Sequence, residues 1–383
     1  MAFYFTLLYF DRLNDISFFD IIKYTKDRCY MNRSRKRRIS KKKVFLLILI
    51  IILLVGAGVC LWKFVINKGS APKGKKITAK LEEKVDIVDI ESKSRPFAIS
   101  INNTPVAVKV QEGLNKAFLI YEIPTEGSTA RLIAVFKDVE DTKVGTIRSA
   151  RHNMLDFSYE SDAIFVAFGW SHYAKDDMSG SHLIDYVQGI VGEGGMWRDN
   201  PENLDSEHTV YLQTETVKNY AKDSKGYALE SASASDTILL NYNVIDVDLS
   251  DKEGAMVANH VSIDYGSVTN DFNYDADTGM YTRIVNDRVA VDHNTKEPFT
   301  TKNIIVQKIK YNRADDGYYW NLHTVDSGEG YYITNGYAIP IKWSKSDRKA
   351  KTKFTKLDGE ELEVSDGRTY IEVQVASRDT TIE

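Results

Sequence analysis

Apolar positions divide the chain into one long unbroken run and many short ones. Residues 44–62 (VFLLILIIILLVGAGVCLW) contain no charged side chain in 19 positions. A helix of that length spans about 28 Å, close to the hydrocarbon thickness of a bilayer. The segment 64–66 continues the apolar character past Lys63, whose long stem can reach the interface. This pattern predicts one transmembrane helix over 44–66.

Short apolar runs alternate with polar segments after the predicted helix. Residues 67–91 are rich in Lys, Gly and small side chains and predict a flexible tether. Thr214 is the expected N-cap and Gly226 the expected C-cap of a helix over 214–226, and a second helix is expected over 148–159. Strands are expected at 95–101, 118–123, 130–136 and 163–170. These elements predict a mixed α/β domain over 92–235.

The small-residue segment 231–236 predicts a domain boundary, because the pattern beyond it changes to strands separated by turn residues. The sequence therefore predicts a mainly antiparallel β domain over 236–383. The expected fold class is α+β, with one transmembrane helix, a mixed N-terminal domain and a β-rich C-terminal domain. The expected strands of the second half lie at 237–244, 260–266, 281–285, 303–311, 330–343 and 368–376.

Charge is distributed unevenly along the chain. Residues 1–68 hold 14 basic and 4 acidic side chains, whereas residues 69–383 hold 36 basic and 50 acidic ones, a net charge of −14. The basic excess is concentrated in 31–43, directly before the apolar run, and basic flanks stay on the cytoplasmic side. We therefore expect a single-pass cell-membrane protein with a cytoplasmic segment 1–43 and an extracytoplasmic body. The span accounts for the basic cluster, so no nucleic-acid partner is expected.

The N-terminus leaves alternatives open. A cleaved signal peptide has an apolar region of only about 7–15 residues, which favours an uncleaved anchor. Lipid attachment at Cys60 remains the other possibility, although Val59 stands where a small residue is needed. Residues 1–30 are aromatic-rich and untypical of a targeting segment, and Met31 begins a more typical N-terminus. Our hypothesis is that translation starts at Met31 and that 1–30 is an extension of the gene model.

The composition of the chain excludes several classes of protein and of functional site. The chain is 43% hydrophobic and 27% charged, which excludes a wholly disordered or fibrous protein. Its two cysteines, Cys29 and Cys60, exclude a disulfide framework and a cysteine metal site in the main body. The histidines form no i, i+4 pair with an adjacent glutamate, and no G-x-S-x-G motif occurs. No metal and no cofactor are expected.

Several motifs occur in an order and at a spacing that carry a resemblance to a known family: RPFAISINN (95–103), YEIPTEGSTARLIAVF (121–136), KVGTIRSAR (143–151), MWRD (196–199), YTR (281–283), KNIIV (302–306) and GEGYYITNGYAIPIKW (328–343). The chain resembles the YerB-like putative lipoprotein family of the bacterial envelope over about residues 92–376. The resemblance implies an envelope location and two halves catalogued as domains of unknown function, and it implies no activity. The chain departs from the family in a poorly formed lipobox around Cys60 and in SEHTVY (206–211), which contains His208 and where members show Pro-His-Asn before a Tyr.

Arginines suggest an anion site. Arg148 and Arg151 are three positions apart, and on the first turn of a helix they would share one face. Backbone N–H groups at a helix N-terminus together with guanidinium groups bind phosphate or carboxylate. Arg131 and Arg198 are expected to join them. The alternative is that these arginines form internal ion pairs with acidic neighbours, of which the candidates are Glu122, Glu126, Asp156 and Asp199.

Glu122 and Glu126 flank a Pro-Thr pair and are candidates for a general acid/base couple. That chemistry requires environments that separate the two pKa values, and structural arginine partners are the other interpretation. The expected ligand-binding residues are Asn102, Asn103, Glu122, Glu126, Arg131, Arg148, Arg151, Arg198, Asp199 and His208.

Three functions follow from these observations. The first is non-enzymatic binding of an anionic ligand or cell-wall polymer through the arginines. The second is a hydrolase or transferase that acts on a glycan or phosphate-bearing polymer through Glu122, Glu126 or His208. The third is a scaffold for envelope assembly, whose protein partners the sequence does not identify.

Overall fold

Strands dominate the part of the protein that the structure, a computed structural model, describes, which is residues 84–383. The predicted segments 1–43 and 44–66 and most of the predicted tether lie outside these residues. The strands of the first half are β1 (Phe97–Ile101), β2 (Leu119–Thr125), β3 (Thr129–Phe136), β4 (Lys143–Gly145), β5 (Ile164–Ala167), β6 (Tyr186–Gln188), β7 (Trp197–Arg198) and β8 (Val210–Gln213).

The strands of the second half are two to eight residues long. They are β9 (Asn241–Asn243), β10 (Met256–Val257), β11 (His260–Asp264), β12 (Thr269–Asp275), β13 (Met280–Val285), β14 (Arg288–Val289), β15 (Thr300–Thr301), β16 (Asn303–Ile309), β17 (Tyr311–Arg313), β18 (Trp320–Leu322), β19 (Ser327–Thr334), β20 (Tyr337–Ser344), β21 (Lys353–Lys356), β22 (Glu363–Ser365), β23 (Thr369–Val375) and β24 (Thr380–Ile382).

Helices are few and short in this part of the chain: α1 (His152–Ser158), α2 (His172–Lys175) and α3 (Thr214–Asn219). None of the helices in residues 84–383 has the length and apolar character needed to cross a bilayer. The predicted C-cap at Gly226 was wrong by one position: Lys225 caps the helical turn Tyr220–Ser224 that continues α3, and Gly226 follows it with a φ of 70° and an N–H that donates to the Lys222 carbonyl. The predicted N-cap was wrong by one position: Gln213 is the N-cap, and the Thr214 hydroxyl instead accepts from the Thr142 N–H.

One large mixed sheet unites the two halves of the chain. Its order is β10-β20-β19-β16-β23-β2-β3-β1-β5-β6, with β21 paired to β20. Strand β23 pairs in parallel with β16 on one side and with β2 on the other. All seven residues of β23 are buried, which suits a central strand covered on both faces. The separate, mainly antiparallel sheet expected for the second half is thus only part of the structure.

A second, antiparallel sheet covers one face of the large sheet, in the order β14-β13-β12-β11-β24, with β15 paired to β13. Alternate residues of its strands point inward, as in β11 and β13. The opposite face of the large sheet is covered by α1 through Met154, Leu155 and Phe157. The protein is therefore largely β, with its core on both sides of one sheet.

Both predicted boundaries within the described residues, near 91 and near 235, lie in ordered segments that contact other parts of the protein or form a turn. In the last part of the predicted tether, the N–H groups of Asp86 and Ile87 donate to the Asp366 carboxylate at 2.7 and 3.0 Å. Val85 and Val88 are buried against the body. The predicted boundary between 235 and 236 falls in a short 3-10 turn, Ala234–Thr237, and stays a prediction.

Candidate functional site

The turn between β2 and β3 presents a carboxylate next to two arginines. The turn residues are Glu126–Ser128, and Gly127 has a φ of 78°, a conformation that favours glycine. Arg131 follows in β3, and Arg151 is the residue immediately before α1. Because β3 lies beside β2 in the sheet and α1 packs over it, residues far apart in sequence meet at this turn.

Glu126 is shared by the two guanidinium groups. Arg151 Nε lies 2.8 Å from Glu126 Oε1 and 2.9 Å from Oε2, and its Nη2 also donates to Oε1. Arg131 Nη2 lies 3.7 Å from the same Oε1, and Arg131 Nη1 donates to the Ser149 carbonyl. Two cations therefore share one carboxylate, which leaves one positive charge without a full counter-charge within this group.

The pKa values of Glu126 and Arg131 reflect this imbalance of charge. Burial alone would raise the pKa of Glu126, but the hydrogen bond and charge of Arg151 outweigh it and lower the pKa. Burial and the neighbouring Arg151 charge lower the pKa of Arg131 to about 9, despite the opposing effect of Glu126. The guanidinium of Arg131 is thus held in an environment that an additional anion would stabilise.

Aromatic rings border the arginines. The Arg151 guanidinium lies 5.1 Å from the centroid of the Tyr319 ring. Tyr319 in turn contacts Tyr173, at 6.0 Å between centroids, and the exposed Tyr318, at 5.0 Å. Glu126, Arg131, Arg151 and Tyr319 are called the arginine site below.

The expected helical arrangement of Arg148 and Arg151 was wrong. Helix α1 begins at His152, and Arg151 is extended, with φ −120° and ψ 145°. The residues before it bridge to other strands, and the Arg148 N–H donates to the Ser100 carbonyl. Those sheet contacts prevent the helix from starting earlier, so no helix N-terminus carries both arginines.

Four other expected residues converge instead on the turn Ser206–His208. Arg148 Nη2 lies 2.9 Å from Glu207 Oε2, so this arginine has an internal partner. Asn102 Nδ2 lies 2.8 Å from His208 Nδ1 and also donates to the Glu207 carbonyl. Arg198 donates to the Ser206 carbonyl and lies over the ring of Phe168, at 5.1 Å. The four expected arginines therefore divide into two pairs rather than forming one cluster.

Asp199 lies beside this turn and pairs with Lys143, whose Nζ is 3.0 Å from Asp199 Oδ2 and 3.2 Å from Glu112 Oε1. The two carboxylates raise the pKa of Lys143, although burial acts in the opposite direction. The predicted contribution of Asp199 to a shared arginine site therefore has no geometric support.

Glu122 and Asn103 belong to a fully buried polar cluster between the two sheets. Asn103 Nδ2 donates to Glu122 Oε1 at 2.8 Å, and Arg283 Nη2 donates to Glu122 Oε2 at 3.0 Å and to Asn103 Oδ1 at 2.9 Å. A second carboxyl, Glu372, is linked through Asn270, whose Nδ2 lies 2.8 Å from Glu122 Oε2 and 2.9 Å from Glu372 Oε1. These five residues, together with Tyr265, are called the buried carboxyl cluster.

One cation faces two carboxyls in this cluster. Burial raises the pKa of Glu372 well above its ordinary range, and the neighbouring Glu122 raises it further. Burial also raises the pKa of Glu122, but its direct ion pair with Arg283 opposes that effect. Tyr265 Oη lies 2.8 Å from Glu372 Oε2 and 3.1 Å from the Glu122 carbonyl. A protonated Glu372 fits this geometry, since its O–H can donate to Tyr265 while Tyr265 donates to the carbonyl.

Sequence reasoning did not identify Arg283 or Glu372. Strand β13 alternates strictly, and Arg283 occupies an inward position between Tyr281 and Val285. That period-2 pattern was the available signal, because an arginine on the apolar face of a strand requires a buried partner. The expected acid/base couple is not assembled, since Glu122 and Glu126 bind separate sets of residues. Within residues 84–383, no three His, Cys, Asp or Glu side chains are grouped so as to hold a metal ion.

Comparisons with known proteins agree on one family. Residues 85–228 match the family described as "Protein of unknown function (DUF3048) N-terminal domain", and residues 261–371 match its C-terminal domain. The chain is 30% identical over 300 residues to "Putative lipoprotein YerB" of Bacillus subtilis (strain 168), which covers 77% of this chain and 83% of that protein. The crystal structure of the YerB protein from Bacillus subtilis superposes with a TM-score of 0.64 at 26% identity, covering 76% of this chain and 95% of that one.

Proposed function

The chain belongs to the YerB-like family with its two DUF3048 domains, and from this premise we propose that it is a membrane-anchored envelope protein that binds an anionic polymer without catalysis. The relative is named a lipoprotein. In this chain the apolar run 44–62, with Cys60 inside it, supplies either an uncleaved helix or a lipid attachment point. The basic segment 31–43, directly before the apolar run, supports an acidic body outside the cytoplasm.

The excess positive charge of the arginine site is the observation that carries the proposal. Arg131 and Arg151 share one carboxylate, and the pKa of Arg131 is lowered to about 9 by burial and by Arg151. A phosphate or carboxylate group from a polymer supplies the missing counter-charge and accepts charge-assisted hydrogen bonds. Tyr319 adds a ring against which the polymer's sugar or alcohol backbone can pack.

Glu126 acts in this proposal as an internal competitor for the ligand. It occupies the positions around Arg151 that an external anion requires. Replacing it with glutamine removes the competing charge while keeping the size of the side chain. Glu126→Gln is therefore expected to tighten the binding of an anion, whereas a purely structural ion pair predicts no tightening.

The experiment is calorimetric titration of the full-length chain, in a non-ionic detergent, with a glycerol-phosphate oligomer. We expect the affinity to decrease as salt is added. Arg151→Gln should weaken binding about 10-fold or more, as expected for the loss of a charged hydrogen bond. The matched control is Lys218→Gln, which removes one exposed positive charge on α3. Equal affinities for Arg151→Gln and Lys218→Gln, or no tightening in Glu126→Gln, would contradict the proposal.

The hydrolase or transferase alternative receives less support from the same residues. Glu122 is fully buried and bound to Asn103 and Arg283. The lowered pKa of Glu126 makes it a poor proton donor near neutral pH. His208 is buried and is held by Asn102. Turnover of a wall polymer that is abolished by Glu126→Gln would favour the enzyme over the binding protein.

A further inference from the structure

A cleft beside the arginine site has a different chemistry. Its volume is about 350 Å³, within the range of about 300 to 1,000 Å³ typical of ligand sites. It lies between the β17–β18 hairpin, the end of β11 and the turn that follows β23. The lining residues are Pro124, Asp264, Tyr265, Tyr311, Trp320, Val375, Ser377, Arg378 and Asp379.

One wall of the cleft is an aromatic pair. Tyr311 and Trp320 stack with their ring centroids 4.3 Å apart and their planes at 26°. They lie on neighbouring strands, where Trp320 pairs with Arg313 and Tyr311 pairs with Leu322, so both rings are on the same face of the hairpin. Trp320 is 9% exposed and Tyr311 is 37% exposed. The pair therefore offers a firmly held, partly open aromatic face.

The opposite wall is polar, and its positive and negative charges balance. Asp264 Oδ2 lies 3.1 Å from Arg378 Nη1, and Asp264 Oδ1 accepts from the Gly266 N–H at 2.6 Å. Asp379 and Ser377 are exposed at the same wall. Asp264 and Asp379 face Arg378 and also Lys308, whose Nζ donates to the Arg378 carbonyl at 2.8 Å. The wall therefore has no excess positive charge to attract an anion, in contrast to the arginine site. The same groups accept from and donate to hydroxyl groups at close spacing.

We propose that this cleft binds a neutral pyranose of a glycan chain, with one sugar face on the Tyr311–Trp320 pair and its hydroxyl groups on Asp264, Arg378 and Asp379. Pyranose rings have an apolar face of C–H groups and a rim of hydroxyl groups, which matches an aromatic wall opposite a polar one. This site goes beyond the proposed anion site. Its occupancy does not require that Arg131 and Arg151 bind anything.

The cleft and the arginine site are close along the chain. Pro124 lines the cleft and Glu126 belongs to the arginine site, and Trp320 and Tyr319 are adjacent in the same hairpin. Only the arginine site has an excess of positive charge, so the two sites are separable by probe and by salt.

The test is calorimetric titration of the full-length chain with the neutral tetrasaccharide of β-1,4-linked N-acetylglucosamine. We expect binding that is unaffected by salt and is accompanied by a change in tryptophan fluorescence. Tyr311→Ala is expected to weaken binding about 2- to 10-fold, as for the loss of one aromatic contact. The matched control is Tyr318→Ala, which removes a 60% exposed ring outside the cleft and should not change the affinity.

A second pair of variants keeps the test independent of folding defects and of the anion site. Asp379→Asn changes an exposed side chain at the cleft and should weaken sugar binding, whereas Arg151→Gln should not. Absence of binding at about 10 mM sugar, equal effects of Tyr311→Ala and Tyr318→Ala, or stronger binding of trilysine than of the sugar would overturn the proposal. If the wild-type chain binds the glycerol-phosphate oligomer but not the sugar, the sugar cleft is rejected and the proposed anion site is not.

Discussion

Arg283→Met would remove the cation of the buried carboxyl cluster and keep a long apolar side chain in its place. Arg283 is fully buried, and its Nη2 donates to Glu122 at 3.0 Å and to Asn103 at 2.9 Å. Without it, the charge of Glu122 stays in the interior with amide partners only. The variant therefore tests whether this ion pair is required at neutral pH.

The magnitude follows from these contacts. Removing one partner of a buried ion pair costs about 3–5 kcal/mol, because the other charge remains buried without compensation. Arg283 Nε and Nη1 are buried and have no hydrogen-bond partner among the described residues. Methionine removes those two unsatisfied donors, which places the expected loss toward the lower end, about 3 kcal/mol.

The loss should depend on pH in a defined direction. Burial already raises the folded-state pKa of Glu122 in the wild type, and removal of Arg283, whose charge lowers it, raises that pKa further. A group with a raised folded pKa favours folding at pH values below the unfolded pKa, and that contribution disappears as the pH rises through the folded pKa. The difference between wild type and Arg283→Met should therefore be smaller at pH 5 than at pH 7.

Urea unfolding of the full-length chain in a non-ionic detergent, followed by tryptophan fluorescence, measures these differences. Arg288→Met, which changes an exposed arginine in β14, is the matched control and should stay within about 0.5 kcal/mol of wild type. The double variant with Glu122→Gln should lose less than the sum of the two single variants, since the residues are coupled. A loss below about 1 kcal/mol at pH 7, or simple additivity, would refute the reasoning.

Three further predictions concern the core. Because burial raises the folded pKa of Glu372, the free energy of unfolding of the wild type should fall by up to about 1.4 kcal/mol per pH unit as the pH rises above the ordinary pKa of 4.5. Glu372→Gln should remove this fall. Urea unfolding from pH 4.5 to 8 measures the slope, and an unchanged slope would contradict the assignment. Gly330→Ala should lower the melting temperature sharply, since its Cβ would lie 1.9 Å from a carbonyl oxygen of β16, whereas Gly180→Ala, where the Cβ meets nothing within 4 Å, should be tolerated; similar melting temperatures would refute this. Lys345→Met should lower the free energy of unfolding by about 3–5 kcal/mol, because it removes the cation that lies 2.6 Å from the fully buried carboxylate of Glu160. Urea unfolding measures the loss, and a value below about 1 kcal/mol would show that the pair is dispensable.

The local pattern of apolar and polar residues predicted the positions of most strands. The apolar runs at 95–101 and 163–170 contain β1 and β5, and the runs at 118–123 and 130–136 cover most of β2 and β3. The reason is that a strand's alternation and β-branched content depend only on neighbouring residues. The run at 237–244 became only the short strand β9, because a capping box at Ser233 and Asp236 holds its beginning in a 3-10 turn.

Local pattern did not predict which strands pair. The fully buried run of β23 was recognised as a strand, but its place between β2 and β16 depends on both halves of the chain being folded. Parallel pairing of this kind joins residues far apart in sequence, as Tyr121 and Ile371 show. No short window of sequence contains that information.

The sequence by itself determined the candidate anchor, the charge division, the strand positions and the family, because each depends on composition or on ordered motifs. Only the tertiary structure decided which carboxylate each arginine meets. Arg151 meets Glu126 across 25 positions, and Arg283 meets Glu122 across 161. An ion pair requires atoms within about 4 Å, and such proximity arises only when strands distant in the chain are brought side by side.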